Sequence, residues 1–429
     1  MKLKALLIAL IAILLVGTLV ACDNNGDDED VVITVASRLG QDIPADIFFR
    51  EQVEIFNEMD NGITVEMNNI VPEAEYLDML RTSFAIGEPP SVFIEYGGTR
   101  VRDYLEAGAL VNLQPYFQEN PNWYNLFAPA MFDGLRFDGF DGIWGVPFQA
   151  YLVVLYYNTE MFAEQGLTPP TTWDELMDVS QAFMDAGISP FQVGARDAWR
   201  LGHLHSAIVL RSLGADSVDR LADRTLAYDS PEMIQTFQLI SDMLDRGFLG
   251  VDVLDHDYNT ERAAFTAGQV PMRWDGSWFI MEIFGTEVYD RTGVTQFPII
   301  NPQHAGVNKG GASDMWFVSS MGQTEEQIAA SIEFLMFITS EEYFIGTNEI
   351  AAALYPAVFT PSAATPPNPL LDATAGIANA STALFTDLQT MDPEAHMLDT
   401  VRNALQGLAM GNTAEETAAD IVRRMEITN

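Results

Sequence analysis

The chain has 429 residues, 48% of them hydrophobic and 11% aromatic, enough to bury the cores of two or three lobes and to exclude a disordered class. Its formal net charge is -40, from 61 acidic against 21 basic residues, and its only lysines are Lys2, Lys4 and Lys309. Such a surface repels phosphate backbones and anionic headgroups, which excludes nucleic acid as a partner. Its self-repulsion fits two readings, adaptation to a saline habitat, where salt screens the acids over ~10 Å and raises stability, or a merely acidic secreted protein.

At the amino terminus Lys2 and Lys4 precede a continuous apolar run, Ala5 to Val16, and then Leu19-Val20-Ala21-Cys22. This is the order of a secretory leader: charge, apolar segment, small residues before cleavage. The apolar run falls short of the ~20 residues of a spanning helix. Cys22 is the only cysteine, so no disulfide forms within the chain. The Leu-Val-Ala-Cys run resembles a bacterial lipoprotein box, which implies a signal peptide over 1–21 and lipid on Cys22. Residues 22–30 then read as a solvated acidic tether to the membrane; no glutamate stands where a calcium loop needs one.

Val31 to Val35 reads as a buried first strand, Asp46 to Met59 as an amphipathic helix, and Ile63 to Met67 as a second strand. Tyr76 to Ala85 has helical spacing, and Ser91 to Tyr96 is a third strand ended by Gly97-Gly98. Strands alternating with helices predict an α/β fold with mainly parallel sheets, whose ligands bind beyond the carboxyl ends of strands. Gly142 to Asn158 reads as a crossing between lobes, with a strand over Leu152 to Tyr157. Thr171 or Thr172 caps a helix, and Ser230-Pro231 opens another. Thr324 to Thr339 is a further helix, Ala351 to Pro369 an extended connection, and from Ser381 the chain is expected to be helical to near its end.

Several stretches together resemble the extracellular solute-binding proteins of sugar importers, the family that includes maltose- and other oligosaccharide-binding proteins. They are Tyr76 to Gly98, Gly142 to Leu176, Ala263 to Trp278, Gly310 to Ser320 with Glu333 to Phe337, and Val401 to Gly411. Their order over nearly the whole mature chain carries the resemblance. It implies a two-lobed, periplasmic-binding-protein-like fold of type II, with a hinge and a ligand cleft between the lobes. It also implies an extracytoplasmic, non-catalytic, monomeric subunit of an ABC transporter that binds a small carbohydrate and docks on a membrane permease. Mapped here, lobe one takes 31–149 plus 297–347, and lobe two takes 150–296 plus 348–429.

A sugar site wants flat aromatic surfaces for C–H faces and polar groups for every hydroxyl. Asp275-Gly276-Ser277-Trp278 is the leading candidate, the acid accepting hydroxyl bonds and the indole stacking; otherwise Trp278 is core and Asp275 a helix cap. Trp274 reads as core or site, and Tyr156 and Tyr157 as core. Tyr96, Gly97 and Gly98 end a strand at the expected cleft, and Gln149 and Tyr151 lie where the chain changes lobe. Trp199 and Arg200, which follow the loop-like stretch Gly194-Ala195-Arg196-Asp197, pair an aromatic with a cation. Gly311, Ser313, Asp314 and Trp316 begin a return strand, Ser37 and Arg38 follow the first strand, and Tyr355 and Arg402 complete the set.

No zinc, phosphate-loop or serine-hydrolase motif is present, and His203 and His205, two apart, point to opposite sides of a helix. No metal or cofactor is therefore expected. The rival reading is a secreted lipoprotein glycoside hydrolase, which needs only two carboxylates ~5–9.5 Å apart; a further alternative keeps the two lobes and changes the solute.

Overall fold

The computed structural model describes residues 30–428 with the exception of 138, 352 and 395, so the leader and Cys22 lie outside the described residues. Ten strands occur in chain order: β1 Val31–Ser37, β2 Ile63–Asn69, β3 Val92–Glu95, β4 Val146–Pro147, β5 Ala150–Asn158, β6 Met272–Gly276, β7 Thr292–Gln296, β8 Val307–Ala312, β9 Met315–Val318 and β10 Ala383–Phe385. They form two mixed sheets, each clothed by helices, in a two-lobed α/β fold. The first has the order β2-β1-β3-β9-β4; the second has the order β10-β8-β5-β6, with β7 also pairing β5.

In the first sheet β1 runs parallel to β2 and β3, and β9 returns antiparallel to β3 and β4. The helix Pro44–Asn57 covers it with Phe49, Val53 and Phe56, and Glu73–Ala85 adds Tyr76, Leu80 and Phe84. The Tyr76 hydroxyl donates to the Ile94 carbonyl at 2.6 Å, which satisfies a phenol that burial would otherwise penalise.

The second sheet is built on β5, whose nine residues are almost all buried. Tyr151, Val153 and Leu155 face one core; Leu152, Val154 and Tyr156 face another. A strand buried on both faces reads as a continuous apolar run, as this one does. However, β6, β7 and β8 all run antiparallel to β5, so the expectation of mainly parallel sheets holds for the first sheet only. An apolar run carries no direction.

Helix starts follow their caps. Thr172 and Glu175 form a reciprocal capping box, Thr324 and Gln327 another, and the Ser230 side chain accepts from the Met233 amide with Pro231 following it. The carboxyl-terminal region differs from expectation: β10 and a 3-10 turn at Leu388–Met391 precede the helices Met397–Ala409 and Ala414–Thr428. Val307–Ala312 pairs with β5 and β10, and Tyr355 and Phe359 pack on the first sheet's core. Among the described residues no helix is long and apolar enough to cross a membrane.

Candidate functional site

The crossing segments are tied together where the sheets meet. The amides of Phe148 and Gln149 both donate to the Asp314 carbonyl, at 2.9 and 3.0 Å, and the Ser313 amide returns a bond to the Gln149 carbonyl. The Ala150 amide donates to Leu354 at 3.2 Å. Beside this junction opens a cavity of about 400 Å³. Its lining comes from the carboxyl ends of β1, β3, β6, β8 and β10 and the amino ends of β5 and β9, one edge of each sheet. That is where an α/β sheet presents a ligand site.

The second sheet supplies an aromatic wall. Trp278 tilts against Tyr151 with ring centroids 5.2 Å apart, and Trp199 lies 5.1 Å from Tyr258 and 4.9 Å from His203. The Trp278 indole donates to the Tyr258 hydroxyl at 2.9 Å, and that hydroxyl donates to Asp275 at 3.0 Å. A Cβ on Gly276 would stand 2.0 Å from the Trp278 ring, so glycine is required for the ring to lie there. Beneath the wall, Arg200 and Arg273 interleave with Glu261 and Asp275, all buried. Two cations against two carboxylates make a neutral set that anchors Tyr258 and through it the indole.

The first sheet supplies a polar wall. Arg38 pairs with Asp314 and stacks over the Tyr96 ring at 4.0 Å, while the Tyr96 hydroxyl donates to Glu73 at 3.2 Å. Burial raises the Asp314 carboxyl despite the opposing pull of Arg38. It also pushes Asp46, which accepts the Gln41 amide, up to about 6. Gly97 adopts φ +71, and a Cβ there would meet both Met315 and the Gly134 carbonyl, so the turn after β3 admits only glycine.

At the floor, the ammonium of Lys309 donates to the Tyr151 hydroxyl at 3.0 Å, to the Thr386 carbonyl, and to Asp387 at 3.1 Å. Arg402 reaches Asp387 from the other side at 3.0 Å. Burial lowers the Lys309 ammonium to about 8, although Asp387 opposes the shift. Burial alone would raise Asp387; Lys309 and Arg402 instead hold it well below the carboxylate range.

Of the sequence candidates, Arg38, Tyr96, Gly97, Gln149, Tyr151, Trp199, Trp278, Ser313, Asp314 and Arg402 line this cavity. Asp275 and Arg200 do not: they are sealed in the charge set behind the wall, so they position rather than touch. Trp199 and Arg200 open the helix Trp199–Leu213. Ser37 is buried and bonds Asn69 and the Leu39 amide, and Trp316 stacks on Phe49 in the core at 5.5 Å. Trp274 is core, Gly98 and Gly311 sit behind the lining, and Tyr355 lines a small pocket beside it. Sequence reasoning missed Asp46, Glu73, Tyr258, His203, Asp387 and the buried Lys309. The last had a signal: it is the only lysine beyond the leader. His203 reaches the cavity, while His205, on the opposite side of the helix, bonds Thr236 at 3.2 Å; burial lowers His205 to about 3. Among the described residues no cluster suited to a metal ion occurs.

Residues 42–343 match the family model for bacterial extracellular solute-binding proteins. The chain is 24% identical over 264 residues to a multiple sugar-binding protein of Streptococcus mutans, covering 59% of each. It thus spans about three-fifths of the length of the curated relatives it matches. Among solved structures, a chitin oligosaccharide binding protein superposes with TM-score 0.81 at 22% identity, over 92% of this chain and 98% of that one. A sugar transporter of Bacillus licheniformis in complex with stachyose superposes with TM-score 0.72 at 17% identity, over 92% and 99%. At these identities the superpositions establish the fold; the family follows from the model match over most of the chain. This chain belongs to the bacterial extracellular solute-binding protein family.

Proposed function

We propose that the chain is the binding subunit of an ABC importer, capturing a mono- or oligosaccharide in the cleft between its sheets and presenting it to a permease. Lipid on Cys22 would hold it, as a monomer, at the outer face of the membrane. The observation that carries the reading is the pairing of two unlike walls on one cavity. The Trp278, Tyr258, Trp199 and Tyr151 rings offer flat apolar surface to C–H faces, and the facing wall offers carboxylates and guanidinium groups to hydroxyls. A cavity with many convergent polar groups suits a polyhydroxylated guest, because every unpaired buried hydroxyl costs about 1–3 kcal/mol. Relatives that bind sugars support the same choice.

The strand pairings support lobes of 31–148 with 313–359 and of 149–312 with 369–428. A guest touching both lobes would favour the closed arrangement by its differential affinity alone. The permease and its ATPase supply the energy of transport. A thermal-shift screen of mono- and oligosaccharides tests the reading, since a ligand of the folded state raises the melting temperature by mass action. At least one saccharide should raise it in a saturable way, with compaction in solution scattering. No shift with any saccharide, or product release from oligosaccharides, would overturn it.

A further inference from the structure

The floor of the cavity does not balance its charge. Lys309 and Arg402 converge on Asp387, and among the described residues Asp387 is the only carboxylate within 4.0 Å of either cation. His203 adds no charge: burial, reinforced by Lys309, pushes its imidazole well below its ordinary range. One positive charge is therefore left over in a buried place. The other ion pairs here close: Arg38 with Asp314, Arg262 with Glu282, and the four-member set behind the aromatic wall. An uncompensated cation held out of water is relieved either by losing its proton or by an arriving anion, and Lys309, lowered to about 8, still holds its proton at neutral pH.

The surplus is also placed to be used. Lys309 spends its ammonium on three protein acceptors. Arg402 is the member that lines the cavity, and its Nε is buried with no hydrogen-bond partner. Its aliphatic stem lies across the helix Trp199–Leu213 at Gly202, where a Cβ would stand 2.8 Å from Arg402 Cγ. The guanidinium is thus seated in a slot. On the facing wall Glu73 and Asp46 outweigh Arg100, which among the described residues has no carboxylate in ion-pair distance and is opposed by the nearby charge of Glu95. An acidic group on the guest is repelled there and drawn to the floor. The -40 charge of the whole chain opposes an approaching anion, but beyond ~8 Å it is screened at physiological salt, so the local surplus decides.

We propose that the guest is an acidic sugar, a saccharide bearing a carboxylate, and that Arg402, backed by Lys309, receives that carboxylate at the floor of the cleft. The proposal rests on the sugar-binding reading and narrows it to uronate-containing saccharides. A guanidinium with free donors matches a carboxylate's two oxygens, and such charge-assisted bonds are about twice as strong as neutral ones.

Titration of the full mature chain, followed by tryptophan fluorescence, tests this with glucuronate against glucose and digalacturonate against galactobiose. At least one acidic member should bind about tenfold more tightly than its neutral counterpart, the effect of one charge-assisted contact. Arg402→Gln should shrink that ratio to about threefold or less, and Arg402→Lys, which keeps the charge and loses the fork, should leave a ratio between the parent's and that of Arg402→Gln. Melting temperatures without sugar establish that both variants fold. Neutral sugars binding as tightly as acidic ones, or a ratio unchanged in Arg402→Gln, would overturn the inference while leaving the sugar reading intact. Failure of every saccharide in both series would overturn both.

Discussion

The two walls of the cavity are made in opposite ways. The aromatic wall on the second sheet stands on charge: Trp278 is held by Tyr258, Tyr258 by Asp275, and Asp275 by two buried arginines. The polar wall on the first sheet stands on hydrocarbon, with Phe49, Phe148 and Trp316 packed behind Arg38, Asp46 and Asp314. Charged side chains need a rigid bed that gives them no competing partner. On the proposed reading the second sheet stacks the sugar and the first recognises its hydroxyls, and the contrast can be broken one wall at a time.

The largest effect is expected from Asp275→Ala. It leaves Arg200 and Arg273 buried with one carboxylate between them, and removing one partner of a buried set costs about 3–5 kcal/mol. Denaturant midpoints should show the loss, and Trp278 fluorescence should shift because Tyr258 loses the nearer of its two acceptors and keeps only Glu282 at 3.3 Å. An unchanged midpoint would show that water or a rearranged Glu261 already balances the arginines. Trp278→Ala spares that set and removes the ring. Affinity for the sugar should then fall by about 2–4 kcal/mol, as for a central aromatic anchor, with little change in the midpoint. If affinity held, the stacking surface would have to be Trp199, Tyr258 or Tyr151.

Asp46 tests the polar wall through pH. Its carboxyl is raised to about 6 in the fold, mainly by burial, against ~4 unfolded. The folded state therefore holds the proton more tightly, and stability should fall as pH rises from ~4 to ~6. Asp46→Asn keeps an oxygen for the Gln41 amide and removes the titration. Relative to the parent it should be more stable at pH 7 by about 2 kcal/mol and equal to it near pH 4, read as the difference in denaturant midpoints across that range. A parallel pH dependence in both proteins would place the titration elsewhere.

How much of this was legible in the sequence follows the same division. Capped helices and apolar strands announce themselves locally, and so do the ends of β1, β3 and β5, which carry Arg38, Tyr96, Gln149 and Tyr151 to the cavity. What was not legible depends on partners far along the chain. Asp275 looks like a sugar acceptor until Arg200 and Arg273 close on it, and Trp316 looks like a stacking residue until Phe49 covers it at 5.5 Å. Asp387 follows β10, a three-residue strand in a stretch whose composition reads as helix; its role exists only because Lys309 and Arg402 arrive from 78 residues before and 15 after. Strand direction was equally hidden, since β5 reads the same whichever way its neighbours run.

The smallest effect separates a ring from its hydroxyl. Tyr96 gives Arg38 a face at 4.0 Å and gives Glu73 a donor at 3.2 Å. If the ring matters by aiming the guanidinium into the cavity, Tyr96→Leu should weaken sugar binding about fivefold, the worth of roughly 1 kcal/mol of cation–π contact. Tyr96→Phe keeps the face and releases only Glu73, which can then accept a sugar hydroxyl in place of the phenol; its affinity should stay within about twofold of the parent. Titration of the two variants beside the parent decides between the roles. Equal losses in both would mean that the hydroxyl bond to Glu73, and not the ring beneath Arg38, organises the polar wall.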